Sequence, residues 1–110
     1  MGVYVNEKET LTKQPNGFPG GKLIGDAQGC TKGFCMGIAV YANEEYLAPG
    51  VHDDQEGFYI LKGRGMAKVG ADEFPVKPGT TFIAQKGVPH AVKKAPGSAP
   101  VKLLWAHGAV

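Results

Sequence analysis

Cysteine is scarce in this chain, which limits the structural and redox roles that cysteine can play. Cys30 and Cys35 are the only two cysteines in 110 residues, and four residues separate them. That spacing matches neither a thioredoxin-like pair nor a zinc knuckle, so we expect two reduced thiols in buried or partly exposed positions. A local disulfide or a redox role stays open as the alternative.

Strong charge and long apolar runs are also missing. The chain has 12 basic and 10 acidic residues, which give a net charge of +2, and Arg64 is its one arginine. We expect no nucleic-acid partner, because the field of so small a net charge is weak. We expect no membrane partner, since no apolar run approaches the roughly 18 residues of a spanning helix. The amino terminus lacks the features of a signal peptide, which predicts a cytoplasmic protein.

Glycine and proline are abundant, and they divide the chain into short strands. There are 17 Gly and 8 Pro, and helical periodicity is hard to find. Short strands with glycine-rich turns predict an antiparallel sandwich or small barrel. The length fits one domain over residues 1–110, with an arm and first strands over residues 1–34 and a core barrel over residues 35–107. The predicted strands lie at 22–25, 34–41, around Glu56, at 66–69 and 73–76, on both sides of the turn before His90, and at 101–107.

Two distant segments carry candidate metal ligands. His52 and Glu56 share a parity with the apolar residues that follow them, so we expect these side chains on one face of a strand. His90 comes directly after the tight turn Gly87-Val88-Pro89. Two imidazoles and one carboxylate bind divalent first-row metals and leave coordination positions free. The spacing therefore predicts a metal site of His52, Glu56 and His90.

The same residues resemble the first motif of the cupin superfamily. That motif has two alternate histidines, a glutamate four residues after the second, and a glycine seven residues later. Aligned on Glu56 and Gly63, its second histidine is His52, and its first histidine falls on Gly50. The family's fourth ligand is therefore absent at the position where the motif places it.

The second cupin motif is matched in part. Gly79, Gly87 and His90 fit it, whereas Gln85 replaces the usual proline and Lys94 the usual asparagine. The resemblance covers roughly residues 35–107. It implies an all-β fold, the antiparallel double-stranded β-helix of an RmlC-like jelly-roll barrel.

The resemblance also implies a function. It suggests one divalent metal ion (Fe, Mn, Ni or Zn) and a small polar molecule bound in the barrel, with Glu56 as a ligand and the candidate catalytic acid or base. Dioxygenase, isomerase and lyase chemistry all remain open. The alternatives are a non-catalytic cupin that binds or senses a sugar or metabolite at a degenerate metal site, and an interaction protein whose pocket is only core.

Two side chains could replace the metal ligand that is missing at Gly50. Asp54 could reach the metal or orient one of its ligands. His107 follows the inward parity of the last strand, but a residue at a strand end more often lies at the rim, so we expect His107 outside the site. Tyr59 and Leu61 have the outward parity. An apolar outer face of this kind, together with the amino-terminal arm, predicts a homodimer.

Overall fold

The protein folds into two antiparallel β-sheets. The structure is a computed structural model that describes residues 2–108. In chain order its elements are α1 (Glu7–Thr10), β1 (Thr12–Lys13), β2 (Pro19–Ile24), a single 3-10 turn (Asp26–Gln28), β3 (Cys35–Tyr41), β4 (Gln55–Lys62), β5 (Gly65–Val69), β6 (Asp72–Val76), β7 (Thr81–Ala84), β8 (His90–Lys94) and β9 (Val101–Gly108). No helix among the described residues is long and apolar enough to cross a membrane.

The strand order confirms the predicted all-β class. The larger sheet has six strands in the order β1-β2-β3-β9-β4-β7, and the smaller has three in the order β6-β5-β8. Every pairing is antiparallel. Neighbours such as β3 and β9 are far apart in sequence, which is the crossed connectivity of a jelly roll.

Alternation along β4 sets which side chains enter the core. Phe58 and Ile60 are buried, whereas Tyr59 and Leu61 point outward and are 46% and 40% exposed. The predicted parity of this strand is therefore confirmed. The core lies between the two sheets and consists of Phe58, Ile60, Ala67, Val76, Ala84, Val92, Val101 and Leu103.

Two pairings bring distant segments of the sequence together. In the pairing of β4 with β9, Glu56 lies opposite His107 and Phe58 lies opposite Trp105. Gly50 and His90 exchange backbone hydrogen bonds of 2.9 and 3.0 Å, which attach the segment before β4 to the smaller sheet. Residues 50, 56, 90 and 107 thus meet at one end of the barrel.

Some local expectations are wrong. The unbroken apolar run of β3 predicts a strand that is buried on both faces, but only Gly37 and Ile38 are buried and the rest of the strand is partly exposed. The reason is that, among the described residues, a second sheet covers only one face of the larger sheet. The β5–β6 turn is also one residue shorter than expected, because Asp72 already pairs with Val69.

Gly37 gives a prediction about the wall of the barrel. A Cβ added there would collide with the Trp105 ring and with the carbonyl oxygen of Gly21, whereas one added at Gly57 meets nothing within 4 Å. We expect Gly37→Ala to lower the free energy of unfolding by roughly 1–3 kcal/mol, as overpacking does. Gly57→Ala, the matched control, should change it by less than about 0.5 kcal/mol. Urea unfolding of both variants measures the difference, and equal stabilities would contradict this account of β3 packing on Trp105.

Candidate metal centre

All three histidines of the sequence surround the carboxylate of Glu56. The Nε2 atoms of His52 and His90 each lie 3.2 Å from Oε1 of Glu56. The Nε2 atom of His107 lies 3.1 Å from Oε2. These residues come from a loop and three different strands, so their meeting is a property of the fold.

The backbone places each of these residues in a different way. Glu56 lies near the start of β4, points inward and is 5% exposed. His90 begins β8 and is buried. His52 precedes β4 and is the most exposed of the three histidines, but its carbonyl oxygen accepts a 2.9 Å hydrogen bond from the backbone N–H of Gly87. That bond joins the loops of the two motifs.

One oxygen of Glu56 has no hydrogen-bond partner among the residues that the structure describes. Oε1 is fully buried, and although two imidazole nitrogens approach it to 3.2 Å, neither makes a hydrogen bond with it. A buried, unsatisfied carboxylate oxygen costs free energy. A cation that shares this oxygen with the two nitrogens would remove that cost.

The donor set fits a metal ion. His52, Glu56 and His90 each offer one ligand atom, and these atoms all lie within 4.8 Å of one another. Nitrogen and oxygen donors of this kind suit divalent first-row metals. The three residues predicted from sequence are thus brought together, and as a group they can hold a metal ion.

The expectation that His107 lies at the rim, outside the site, is wrong. Its side chain is only 14% exposed, and its Nδ1 lies 3.0 Å from Oδ1 of Asp54 in a hydrogen bond. The register of β4 and β9 places the end of β9 beside Glu56, so the strand end is at the site. Asp54, the other candidate to compensate for Gly50, contacts His107.

The Glu56 carboxylate changes the titration of its neighbours. The Glu56 carboxylate, whose Oε1 lies 3.2 Å from the imidazole, raises the pKa of His90 above its ordinary value of 6.5, and burial opposes this effect without cancelling it. Burial also raises the pKa of the Tyr41 hydroxyl, and the charge of Glu56 adds to that shift. The carboxylate is therefore the dominant local charge for the side chains around it.

A cavity of about 390 Å³ adjoins the group. Its polar end consists of the three histidines and Glu56, and its remaining wall is mostly apolar and, in the described part of the chain, contains no lysine or arginine. That wall includes Ala39, Tyr41, Leu47, Val92 and Trp105. A cavity of this size and polarity is typical of a small-molecule site.

A β-barrel with histidines and a glutamate at one end is the general form of a cupin. The family model described as "Cupin domain" matches residues 38–107. The chain therefore belongs to the cupin family, as the resemblance of its two motifs implied. The match contains Glu56 and all three histidines.

Relatives support the fold. An uncharacterised protein of Methanocaldococcus jannaschii is 34% identical over 53 residues, which are 48% of this chain and 42% of that protein. The chain thus spans less than half the length of this curated relative. The crystal structure of TT1209 from Thermus thermophilus aligns with a TM-score of 0.72 and 19% identity, and the alignment covers 96% of both chains. The crystal structure of HppE in its iron(II) form aligns with a TM-score of 0.63 and 18% identity over 81% of this chain and 48% of that one.

The contact of His90 with Glu56 predicts opposite pH trends with and without metal. Because folding raises the pKa of His90 above 6.5, its protonation stabilises the metal-free fold. This contribution is fully present below about pH 6.5 and is lost as the pH rises through the folded-state pKa. A metal instead needs the neutral imidazole, so its stabilisation should grow over the same range. The melting-temperature difference between zinc-loaded and chelated protein should therefore increase from about pH 5.5 to about pH 8.

The variant His90→Gln tests the origin of that trend. In chelator it should lack the part of the pH dependence that His90 provides, because glutamine does not titrate. An unchanged slope in His90→Gln would show that the contact with Glu56 is not its source.

Proposed function

We propose that this cupin binds one divalent metal ion through His52, Glu56 and His90 and holds or transforms a small polar molecule in the adjoining cavity. The observation that carries the proposal is the gathering of every histidine of the sequence around one buried carboxylate with an unsatisfied oxygen. Iron, manganese, nickel and zinc all accept this donor set. Residues 1–110 act as one domain in this proposal, with the barrel over residues 35–107.

The three ligands leave positions free for a substrate. When bound, a metal of this kind supplies Lewis-acid or oxygen-binding chemistry, which covers dioxygenase, isomerase and lyase reactions. Glu56 provides a ligand oxygen and the candidate acid or base. Tyr41 and Trp105 line the apolar wall against which the rest of the substrate would rest.

The second candidate is a binding module without catalysis. It is favoured by Gly50, which removes one family ligand, and by the exposure of His52, whose side chain is 43% accessible. In this case the cavity would hold a sugar or another metabolite and the metal site would be degenerate. The two candidates differ in whether a metal is required.

Metal content and the ligand variants test the proposal. Protein purified without an affinity tag should contain close to one divalent metal ion per chain. His52→Ala, Glu56→Ala and His90→Ala should each empty the site while leaving a folded β protein, because the barrel is held by its apolar core. Wild type should melt higher with metal than after chelation, and the variants should lose that difference. Gly57→Ala, which lies next to Glu56 but has open space, is the matched control.

The outcomes separate the two candidates. Metal-dependent oxygen uptake or turnover of a candidate substrate would favour the enzyme. If wild type binds no metal at any tested concentration, or if the variants keep stoichiometric metal, the proposed ligand set is wrong and the binding module becomes the better account.

We also propose that the protein is a homodimer that pairs through the outer face of the larger sheet. Tyr59, Leu61 and Ile83 are 46%, 40% and 47% exposed, and all three lie on the neighbouring strands β4 and β7. Large exposed apolar side chains that cluster on one face are typical of an interface. Light scattering at micromolar concentration should give the mass of two chains, and Tyr59→Lys should shift it toward one chain. A wild-type monomer would contradict the proposal.

A further inference from the structure

We propose that His107 supplies a fourth metal-binding nitrogen and that Asp54 presents it. This inference rests on the proposed metal site and extends it by one ligand from the last strand. No residue of the first cupin motif does this, because the position of the motif's first histidine is Gly50. The nitrogen donor that is missing at position 50 would thus be supplied by His107 of β9.

The hydrogen bond to Asp54 determines which nitrogen of His107 is free. An ionised carboxylate only accepts hydrogen bonds, so the 3.0 Å bond to Asp54 places the proton of a neutral His107 ring on Nδ1. Nε2 then carries a lone pair, and it lies 3.1 Å from Oε2 of Glu56, which is also an acceptor. Two acceptors so close repel each other unless a proton or a metal ion lies between them.

The second oxygen of the Glu56 carboxylate, Oε1, is also close to imidazole nitrogens without a hydrogen bond. Oε1 of Glu56 faces the Nε2 atoms of His52 and His90 at 3.2 Å and has no hydrogen-bond partner within residues 2–108. One divalent ion would satisfy all the nitrogens and the carboxylate together. Three neutral imidazoles, a doubly charged cation and the carboxylates of Glu56 and Asp54 also sum to zero charge, which limits the cost of burial.

Positions 50 and 107 both face the site, but only position 107 carries a donor side chain. A Cβ at Gly50 would lie 3.2 Å from Nε2 of His90 and 3.7 Å from Nε2 of His52, so this position faces the site but contributes no donor. His107 enters from β9, where it lies opposite Glu56, and its ring centroid is 4.5 Å from that of His52. It stands just outside the tight group of His52, Glu56 and His90, on the Oε2 side of the carboxylate.

The pairing of Asp54 with His107 has the form expected around a metal. Histidine ligands commonly donate their second ring N–H to a carboxylate, which fixes the tautomer and turns the free nitrogen toward the ion. The Asp54 and His107 side chains are 15% and 14% exposed, so their bond is largely protected from water. The Trp105 ring packs edge-to-face against the imidazole of His107, with the two ring centroids 5.1 Å apart.

Cobalt(II) affinity and copper(II) spectroscopy test this inference. The probes are the metal ions alone, added to full-length protein that has been freed of metal by chelation. His107→Ala should weaken cobalt binding by about 100-fold or more, and Asp54→Asn by about 10- to 100-fold, the range for residues that orient a ligand. Asp53→Asn is the matched control, because Asp53 is the exposed neighbour of Asp54, and it should leave the affinity unchanged.

A count of coordinated imidazoles separates a ligand from a residue that only supports the fold. Pulsed electron paramagnetic resonance of the copper(II) protein should show three coordinated imidazoles in wild type and two in His107→Ala. Two in both proteins would overturn the inference. Far-UV circular dichroism and melting in chelator check the fold of each variant, and His107→Gln replaces His107→Ala if the latter does not fold.

The experiment distinguishes a failure of the proposed metal site from a failure of the proposed role of His107. If wild type binds no cobalt or copper, the proposed metal function is wrong and this inference falls with it. If wild type binds metal and His107→Ala binds it with the same affinity and spectrum, only the role of His107 is wrong.

Discussion

The burial of the Glu56 carboxylate is the constraint to which the rest of the site responds. Phe58 and Ile60 must face the core, because they contribute two of its largest buried side chains, and successive residues of a strand alternate between faces. Glu56 has the same parity and is therefore carried inward with them. A register slip of one residue would expose the carboxylate, but it would also bury Tyr59 and Leu61 in place of Phe58 and Ile60. The protein keeps the charge inside and surrounds it with imidazoles.

The histidines come from both sheets, so the site also depends on how the sheets meet. His107 belongs to the larger sheet and His90 to the smaller. The segment between β3 and β4 connects them, since Gly50 bonds to the backbone of His90 and Asn43 bonds to that of Val92. Tyr46 fastens the same segment, as its hydroxyl donates a 2.8 Å hydrogen bond to Glu73. These bonds hold the segment that contributes Leu47, Ala48 and Gly50 to the cavity wall.

The sequence was sufficient for the parts of the site that depend on local periodicity. Alternation along β4 placed Glu56 correctly, and the turn before His90 placed that histidine at the start of a strand. Asp54 shares the parity of Glu56 in the sequence, but it precedes the first residue of β4, so the two-residue period does not govern it. Its side chain turns to His107. The alternation of β9 also predicts that the His107 side chain points inward. Whether that side chain lies level with Glu56 depends on the register of β9 with β4, which no local sequence pattern determines.

The distribution of charge around the cavity restricts what the proposed metal site can recognise. No lysine or arginine among residues 2–108 lines the wall, so a bound metal would be the dominant positive charge available to a ligand there. The polar or anionic end of a small molecule would then lie at the metal, and its apolar remainder would contact Leu47 and Trp105. Tyr41 adds one hydroxyl to that otherwise apolar side, and burial raises the pKa of this hydroxyl, which favours its neutral, hydrogen-bond-donating form. The fold is shared with proteins of many activities, so the residues that line this cavity, rather than the fold, determine what the chain can bind.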